Sequence, residues 1–195
     1  CSSDLPLNAT LGFKASPVNG LWFNVFGGYR ISKDELFCNL VDADGYYFTH
    51  FLQDKAKTAY GGAELKYGYK DWFDASLKGT FYSWKTDNEN EELYLVTKPK
   101  FELNFYAEAK VFEGLKVNLG YEYVQRKEYV IEEGNSSKDF GLGNISNLSV
   151  GASYTFLKDL SVFGRVNNLL NKQYYYEYGY PAEKLNVLAG LSLAF

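Results

Sequence analysis

Few side chains in this 195-residue chain could take part in catalysis or metal binding. His50 is the single histidine, so any histidine-dependent triad would have to use it, and no Gly-x-Ser-x-Gly element is present to supply a nucleophile. Cys1 and Cys38 form no Cys-x-x-Cys pair and no Cys/His cluster with the spacing of a metal site. The sequence therefore predicts that the protein is not an enzyme and needs no metal or cofactor.

Charged side chains are plentiful, but they are not arranged to hold a large polyanion. The net charge is -4, and Lys and Arg are scattered among Asp and Glu, so no basic stripe could follow a nucleic-acid backbone. The acidic stretch 87–92 could offer carboxylates to a hard cation such as calcium. Because it lacks the fixed ligand spacing of a known loop, we interpret it as a solvated, self-repelling loop.

The elements that carry these side chains are predicted to be strands. Aromatic residues make up 18% of the chain, with 18 Tyr and 15 Phe and no Met, a bias that favours strands over helices. No apolar run approaches the roughly 20 residues that a membrane-spanning helix needs. Strands of a membrane barrel alternate between apolar and polar residues, so their average hydropathy is mild. We expect one structural unit, residues 1–195.

Strict alternation of apolar and polar residues dominates the sequence and is cleanest over 100–112. Applied along the whole chain, the same test predicts an antiparallel, all-β protein with strands of the length that a tilted membrane strand requires. The predicted strands span 8–16, 20–31, 57–69, 72–85, 98–112, 115–127, 146–157, 159–170 and 184–195.

The predicted connections alternate between tight turns and long loops, which is typical of a transmembrane β-barrel with short periplasmic turns and long extracellular loops. A chain that ends on the short-turn side should contain an even number of strands if the barrel is complete. Nine strands therefore mean either that a tenth was overlooked or that the chain is the C-terminal part of a larger barrel, which we prefer. The tight turns are predicted at 17–19, 70–71, 113–114 and 158–159, and the long loops at about 32–56, 86–97, 128–145 and 171–183.

Each predicted strand has one apolar face and one polar face. Aromatic residues gather near both ends of the apolar faces, as they do at the two interfaces of a membrane. We therefore expect the apolar face to contact lipid, whereas the reverse arrangement would be a soluble lipid-binding barrel. Each charge on the polar face could also serve only to neutralise a neighbour across the strands. The candidate lumen-lining residues are Arg30, Glu64, Lys66, Lys78, Glu108, Arg126 and Arg165.

Aromatic side chains near the long loops are candidates for ligand binding, because exposed rings stack on sugars, peptides or chelates. The alternatives are that these rings anchor the barrel at the upper membrane interface or pack within their own loops. The loop near His50 could also contact a surface lipoprotein. The candidates are Tyr46, Tyr47, His50, Trp84, Tyr174, Tyr176 and Tyr178.

The last 36 residues or so carry a more specific pattern. The segment 160–167 runs into Asn168-Leu169-Leu170-Asn171, then an aromatic run, then Gly179-Tyr180-Pro181, and a last alternating strand ends on Phe195. This region resembles the closing strands of TonB-dependent outer-membrane receptors. It departs from the family where Ala182-Glu183-Lys184 replaces the usual Gly-Arg, and no plug or energy-coupling box is present. The resemblance implies a location in the bacterial outer membrane, and a plug, the rest of a barrel and TonB as partners.

On these grounds we expect an outer-membrane receptor or transporter barrel, in contact with the lipid bilayer, that takes part in TonB-dependent nutrient uptake by binding and passage without chemistry. One alternative is a self-contained small outer-membrane barrel with a structural or adhesive role. The other is the soluble lipid-binding barrel. Aromatic and mixed-charge linings suit many ligands, so the sequence leaves the substrate open.

Overall fold

The computed structural model describes residues 7–43, 46–88, 95–127, 130–133, 136–139 and 141–193, with side chains described outside 39–49 and 128–140. The described residues form an antiparallel sheet of nine strands, which confirms the predicted all-β fold. These strands are β1 (Leu7–Val18), β2 (Leu21–Ala43), β3 (Tyr46–Tyr69), β4 (Phe73–Thr86), β5 (Pro99–Phe112), β6 (Leu115–Arg126), β9 (Ile145–Leu157), β10 (Leu160–Asn167) and β13 (Asn186–Leu193).

Consecutive strands of the sheet pair as neighbours, so the chain runs up and down across it without a crossover. Two small hairpins lie in the connections, β7 (Val130–Glu133) with β8 (Ser136–Asp139) and β11 (Tyr175–Glu177) with β12 (Tyr180–Pro181). A short 3-10 turn, Leu95–Thr97, precedes β5. No helix among the described residues is long and apolar enough to cross a membrane.

A tight turn follows each strand for which one was predicted, the first at 19–20 rather than at 17–19, and these turns define one end of the sheet, which we call the turn end. Gly20 and Gly114 adopt φ angles of +82° and +85°, which residues with a side chain rarely adopt. The carbonyl oxygen of Gly20 accepts a hydrogen bond from the backbone N–H of Gly68 (2.8 Å), and that of Gly114 accepts one from Thr155 (2.9 Å). Each of these turns is therefore bonded to the strand beside its own hairpin.

The predicted long loop at 32–56 is wrong. Strands β2 and β3 continue through it as a paired ribbon, from Glu35 opposite Asp54 to Ala43 opposite Tyr46. A register shift between Ser32 and Glu35 interrupts the alternation there. Because a bulge moves the following residues to the opposite face, a test for strict alternation ends the strand too early. The other connections at this end, which we call the loop end, leave the sheet as predicted.

Pairing across the sheet separates the two faces into uniform rows. At the same level of neighbouring strands the apolar face carries Ala15, Phe23, Leu65, Leu77, Phe105, Tyr121 and Leu148. One residue away, the polar face carries Lys14, Asn24, Glu64, Lys78, Asn104, Glu122 and Asn147. The register therefore keeps the faces that were predicted strand by strand aligned across the sheet.

The buried apolar residues of the described chain lie at the loop end and in its connections. They form three small clusters, which together we call the cap. Side chains of the polar face, such as Trp84, Ala56 and Val124, contribute to these clusters, so the connections fold over that face. The clusters consist of Phe37, Ala56 and Leu95; Val96, Leu142 and Tyr178; and Val124, Ile145 and Tyr174.

Candidate functional site

A row of three aromatic side chains stands on the polar face near the loop end. Tyr60 of β3 lies beside Tyr82 of β4 with ring centroids 6.4 Å apart, and Tyr82 is followed by Trp84 at 6.3 Å. A Cβ atom on Gly28 would lie 2.5 Å from the Tyr60 ring, so glycine at this position allows the ring to lie against β2. We call Tyr60, Tyr82 and Trp84 the aromatic stack.

Two cations flank the loop-side end of the aromatic stack. The Arg30 guanidinium lies 5.5 Å from the centroid of the Trp84 ring, and the Lys98 ammonium lies 5.1 Å from it, both within the range of cation–π attraction. Glu35 forms ion pairs with both, at 3.6 Å from Arg30 and 2.5 Å from Lys98. The Trp84 indole N–H also donates to the carbonyl oxygen of Pro99 (2.9 Å), which fixes the ring.

The tyrosine hydroxyls of the stack and the polar groups around them can exchange hydrogen bonds with a ligand. The Tyr82 hydroxyl donates to Glu102 (2.9 Å), and Tyr60 shares a hydrogen bond with Thr10. Tyr60 and Tyr82 border a cavity of about 270 Å³ on the polar face. Rings, hydroxyls and paired charges together can hold a polar ligand by stacking and hydrogen bonding. The cavity is lined by Asn8, Phe26, Arg30, Thr58, Tyr60, Lys78, Thr80 and Tyr82.

Charges nearer the turn end are paired or stacked within the sheet. Lys66 bonds Glu64 at 2.9 Å and lies 4.9 Å from the Trp22 ring centroid. Lys116 bonds Glu108 at 2.9 Å. For these residues the structure favours the alternative that charges on the polar face neutralise one another. Among the described residues no group of three His, Cys, Asp or Glu side chains is placed to hold a metal.

Arg126 occupies a different position from the other candidate lumen residues. It is only 8% exposed, and its guanidinium donates to the carbonyl oxygens of Tyr175 (2.5 Å) and Tyr176 (3.3 Å) in the last connection. Arg165, which lies on β10, donates to the Ser149 hydroxyl at 3.3 Å. Arg126 therefore anchors a loop to the sheet, because guanidinium groups bond backbone carbonyls well when both are shielded from water.

Asn168 holds the two ends of that last connection together. This residue is 1% exposed and has a φ of +49°, a conformation that asparagine tolerates better than most residues. Its side-chain amide donates to the carbonyl oxygens of Lys172 (2.7 Å) and Glu183 (3.1 Å) and accepts the Lys172 N–H (3.2 Å). Asn171, at a φ of +50°, accepts a bond from the Leu185 N–H. The Asn-Leu-Leu-Asn motif is therefore a structural clamp.

The aromatic residues predicted to bind a ligand have different environments. Tyr174 and Tyr178 are 5% and 7% exposed and belong to the cap, so little of either ring is accessible to a ligand. Tyr176 is about half exposed, and its hydroxyl donates to Glu122 (3.4 Å). Its partial burial and this carboxylate raise the pKa of the phenol. His50 is exposed, whereas the side chains of Tyr46 and Tyr47 lie outside the described residues.

Of the predicted aromatic residues, only Trp84 belongs to the stack. Sequence reasoning did not select Tyr60, Tyr82, Glu35 or Lys98. Tyr60 and Tyr82 could have been selected from the sequence. They are large aromatic residues at positions that the alternation assigns to the polar face, where polar side chains are expected. Glu35 and Lys98 lie next to the bulge and the 3-10 turn, where alternation gives no information.

Comparisons with known proteins gave matches among solved structures alone. No protein-family model and no curated protein sequence matches the chain. The pyoverdine outer-membrane receptor FpvA of Pseudomonas aeruginosa PAO1 is 16% identical, with a TM-score of 0.69 over 96% of this chain and 29% of that one. The ferric-catecholate import receptor Fiu of E. coli K12 is 15% identical, with a TM-score of 0.67 over 96% and 27%. The siderophore receptor PirA of Acinetobacter baumannii is 16% identical, with a TM-score of 0.64 over 96% and 31%.

At this level of identity the similarity shows the fold. The chain has the fold of part of the barrel of TonB-dependent outer-membrane receptors, which confirms the resemblance seen in its last strands. It spans less than a third of the length of each of these proteins. The matched proteins are outer-membrane receptors rather than enzymes, in agreement with the expected location and the expected lack of catalysis.

Proposed function

We propose that this chain forms part of the barrel of an outer-membrane receptor that binds a nutrient at its loop end and passes it inward in TonB-dependent uptake. The observation that carries the proposal is the separation of apolar and polar rows across the sheet, with the aromatic stack at the loop end of the polar face. Rows of this kind suit a wall between lipid and a wet interior.

The matched receptors support the larger barrel over the two alternatives. Each is three or more times longer than this chain, as expected if the strands described here are joined by others to close the wall. A plug, the remaining strands and TonB are the partners that this proposal requires. A surface lipoprotein at the loop near His50 stays a prediction from the sequence.

A polar ligand with a planar or ring-shaped part fits the loop end best. Trp84 offers a ring held by Arg30, Lys98 and a backbone carbonyl. Tyr82 and Tyr60 continue the row of rings and line the 270 Å³ cavity. Because the matched receptors include proteins described as binding siderophores, metal chelates are the first ligand class to test. The proposed passage involves no covalent chemistry.

Orientation of the faces is tested by spin labels in the full-length protein in membranes. Labels at Leu103 and Leu119, on the apolar face, should be reached by quenchers dissolved in the bilayer, and a label at Glu108 should not. Quenching at Glu108 with protection at both leucines would contradict the proposal and support the soluble lipid-binding barrel.

Ligand binding is tested by uptake of labelled ferric chelates into cells that carry the full-length protein. Trp84→Ala should lower the apparent affinity about tenfold, because it removes a stacking ring and two cation–π contacts. Trp72→Ala is the matched control, since Trp72 lies beside the turn before β4 at the other end of the sheet. Equal uptake by both variants, or uptake that persists after a protonophore is added, would contradict the proposal.

A further inference from the structure

The 270 Å³ cavity beside the aromatic stack, which we call the ring cavity, has a floor of two aromatic rings. Phe26 and Tyr60 lie at successive levels of the polar face, and each is paired with a glycine of the neighbouring strand. A Cβ atom added to Gly62 would lie 2.9 Å from the Phe26 ring, and one added to Gly28 would lie 2.5 Å from the Tyr60 ring. The two glycines therefore let both rings lie along the sheet, where a ring of a ligand can stack on them.

Four hydroxyl groups and one carboxamide line the ring cavity with these rings. Thr58 and Thr80 are 2% and 4% exposed, and Tyr60, Tyr82 and Asn8 complete the set. A hydroxyl both donates and accepts hydrogen bonds, and so does a carboxamide. The lining therefore suits a ligand whose own groups both donate and accept, such as the hydroxyls of a sugar, better than a ligand that offers acceptors alone.

Lys78 brings an ammonium group to the edge of the floor. Its Nζ atom lies 5.6 Å from the centroid of the Phe26 ring. Among the described residues no carboxylate lines the ring cavity, and none forms an ion pair with Lys78. An anionic group of a ligand at this place would therefore gain a charge-assisted hydrogen bond that the described chain does not already satisfy.

The carboxylate opposite Lys78 has another partner. Glu64 faces Lys78 across the β3–β4 pair, but it bonds Lys66 at 2.9 Å. The second cation of the lining, Arg30, is different, because it shares Glu35 with Lys98. The inference below therefore depends on the charge of Lys78 and not on that of Arg30.

The ring cavity has room for one ring-sized group. Its volume of about 270 Å³ equals that of about nine water molecules, at ~30 Å³ each in the liquid. A single hexose ring with its substituents fits such a space, whereas a complete ferric chelate would have to extend out of it. The size of the cavity thus agrees with the hydroxyl-rich lining.

We propose that the ring cavity binds one residue of an acidic sugar, whose ring lies on Phe26 and Tyr60 and whose carboxylate pairs with Lys78. The sugar hydroxyls exchange hydrogen bonds with the hydroxyls that line the cavity. The inference rests on the proposed function and names the class of ligand from the chemistry of the cavity, whereas the matched receptors point to chelates.

The test uses the full-length protein in a neutral detergent and follows three probes by saturation-transfer NMR titrations. Glucuronate has the ring and the carboxylate, glucuronamide has the same ring with a neutral amide, and acetate has the carboxylate alone. We expect glucuronate to bind about tenfold more tightly than either, because a charge-assisted hydrogen bond is roughly twice as strong as a neutral one. The inference is wrong if glucuronate does not bind, or if glucuronamide or acetate binds equally tightly.

A substitution of Lys78 separates recognition of the charge from support of the cavity. Lys78→Gln should weaken glucuronate binding about tenfold and leave glucuronamide binding unchanged, because only the anion loses its partner. Lys14→Gln is the matched control, since Lys14 lies at the same level of the polar face on β1 and does not line the cavity. An equal loss for both sugars in the Lys78 variant would mean that Lys78 pairs with no carboxylate, and the assignment would be overturned.

A substitution of Thr80 tests the position of the sugar hydroxyls. Thr80→Val should weaken glucuronate and glucuronamide alike, by about fivefold, as expected for the loss of one neutral hydrogen bond. Wild-type affinity for both sugars would show that the ring lies elsewhere and would overturn the placement. Heat-modifiable migration on gels shows independently that each variant is folded.

Failure of this inference is distinguishable from failure of the proposed function. A protein whose spin labels report the expected faces, and whose uptake of ferric chelates depends on Trp84, keeps its receptor role even if glucuronate does not bind. A protein whose Glu108 label is quenched from the bilayer loses the proposed membrane placement, whether or not glucuronate binds to the cavity.

Discussion

The paired strands and the cap of this protein are stabilised by different interactions. In the strands, side chains remain exposed on the apolar face, as Phe81 (65%) and Leu77 (41%) show, so this region depends on backbone pairing and on the surrounding medium. In the cap, Phe37 is fully buried among side chains of the chain itself. The chain therefore forms a water-excluding core of its own where the connections meet. The apolar face of the sheet has no such core and depends on the surrounding medium to exclude water.

The largest expected effect comes from removing the centre of the cap. Phe37→Ala should destabilise the cap by about 4 kcal/mol, because a large ring is lost from a closed site. Amide hydrogen exchange at Leu95–Thr97 should rise, while exchange in β5 and β6 stays unchanged. Phe51→Ala, which removes a 57% exposed ring from the same ribbon, is the control. Equal exchange in both variants would contradict a separately stabilised cap.

A charge placed on the apolar face of the strands tests whether that face contacts hydrocarbon. Leu77→Arg should lower the free energy of unfolding from lipid vesicles by about 3 kcal/mol, because the guanidinium must leave water for hydrocarbon. Asn104→Arg puts the same side chain on the polar face of the neighbouring strand, between Lys78 and Glu122, and should cost far less. Similar losses in denaturant titrations of the two variants would mean that the faces are assigned incorrectly.

Removing the clamp of the last connection should have an intermediate effect. Asn168→Ala should cost about 2 kcal/mol, because it removes buried hydrogen bonds to Lys172 and Glu183 and leaves their carbonyls without this partner. Asn171→Ala removes one exposed side-chain bond, to Leu185, and should cost less. Urea titrations measure both, and a larger loss in the Asn171 variant would show that burial does not decide the clamp's strength.

The smallest expected effect concerns an exposed ion pair beside the cap. A hydrogen bond from Lys57 (3.1 Å), aided by its charge, holds the pKa of Asp87 below its ordinary value of 3.8. A lowered folded-state pKa stabilises the protein above the unfolded value, and that contribution is lost as the pH falls through the lowered pKa. Lys57→Gln should return the pKa of Asp87 toward 3.8 in an NMR titration. An unchanged pKa would assign the shift to another neighbour.

Much of the sheet could be predicted from the sequence, because alternation reports directly on which residues share a face. Glu64 and Lys78 were assigned to the polar face strand by strand, and the register places them side by side. The β2–β3 ribbon could not be predicted in this way. Its bulge after Ser32 shifts the register, and a rule based on strict alternation stops there.

The candidate site was harder to predict than the sheet. Trp84 was selected, but the partners that make it a site come from separate parts of the chain: Arg30 from β2, Tyr60 from β3 and Lys98 from the turn before β5. Only the pairing of strands brings them together. Tyr178 was selected for its aromatic ring, yet it is buried in the cap, because a ring in a loop can serve packing as well as recognition.

The asparagine clamp fixes where the last connection attaches to the sheet, but not which side chains that connection carries. Asn168 bonds backbone atoms of Lys172 and Glu183, so the geometry that it fixes does not depend on which side chains lie between them. Exposed residues of this segment, such as Tyr176, can therefore be exchanged without moving its points of attachment, whereas Tyr174 and Tyr178 belong to the cap. A receptor built in this way could acquire a new specificity through substitutions in this segment while its frame stays in register, much as antibody loops diversify on a constant scaffold.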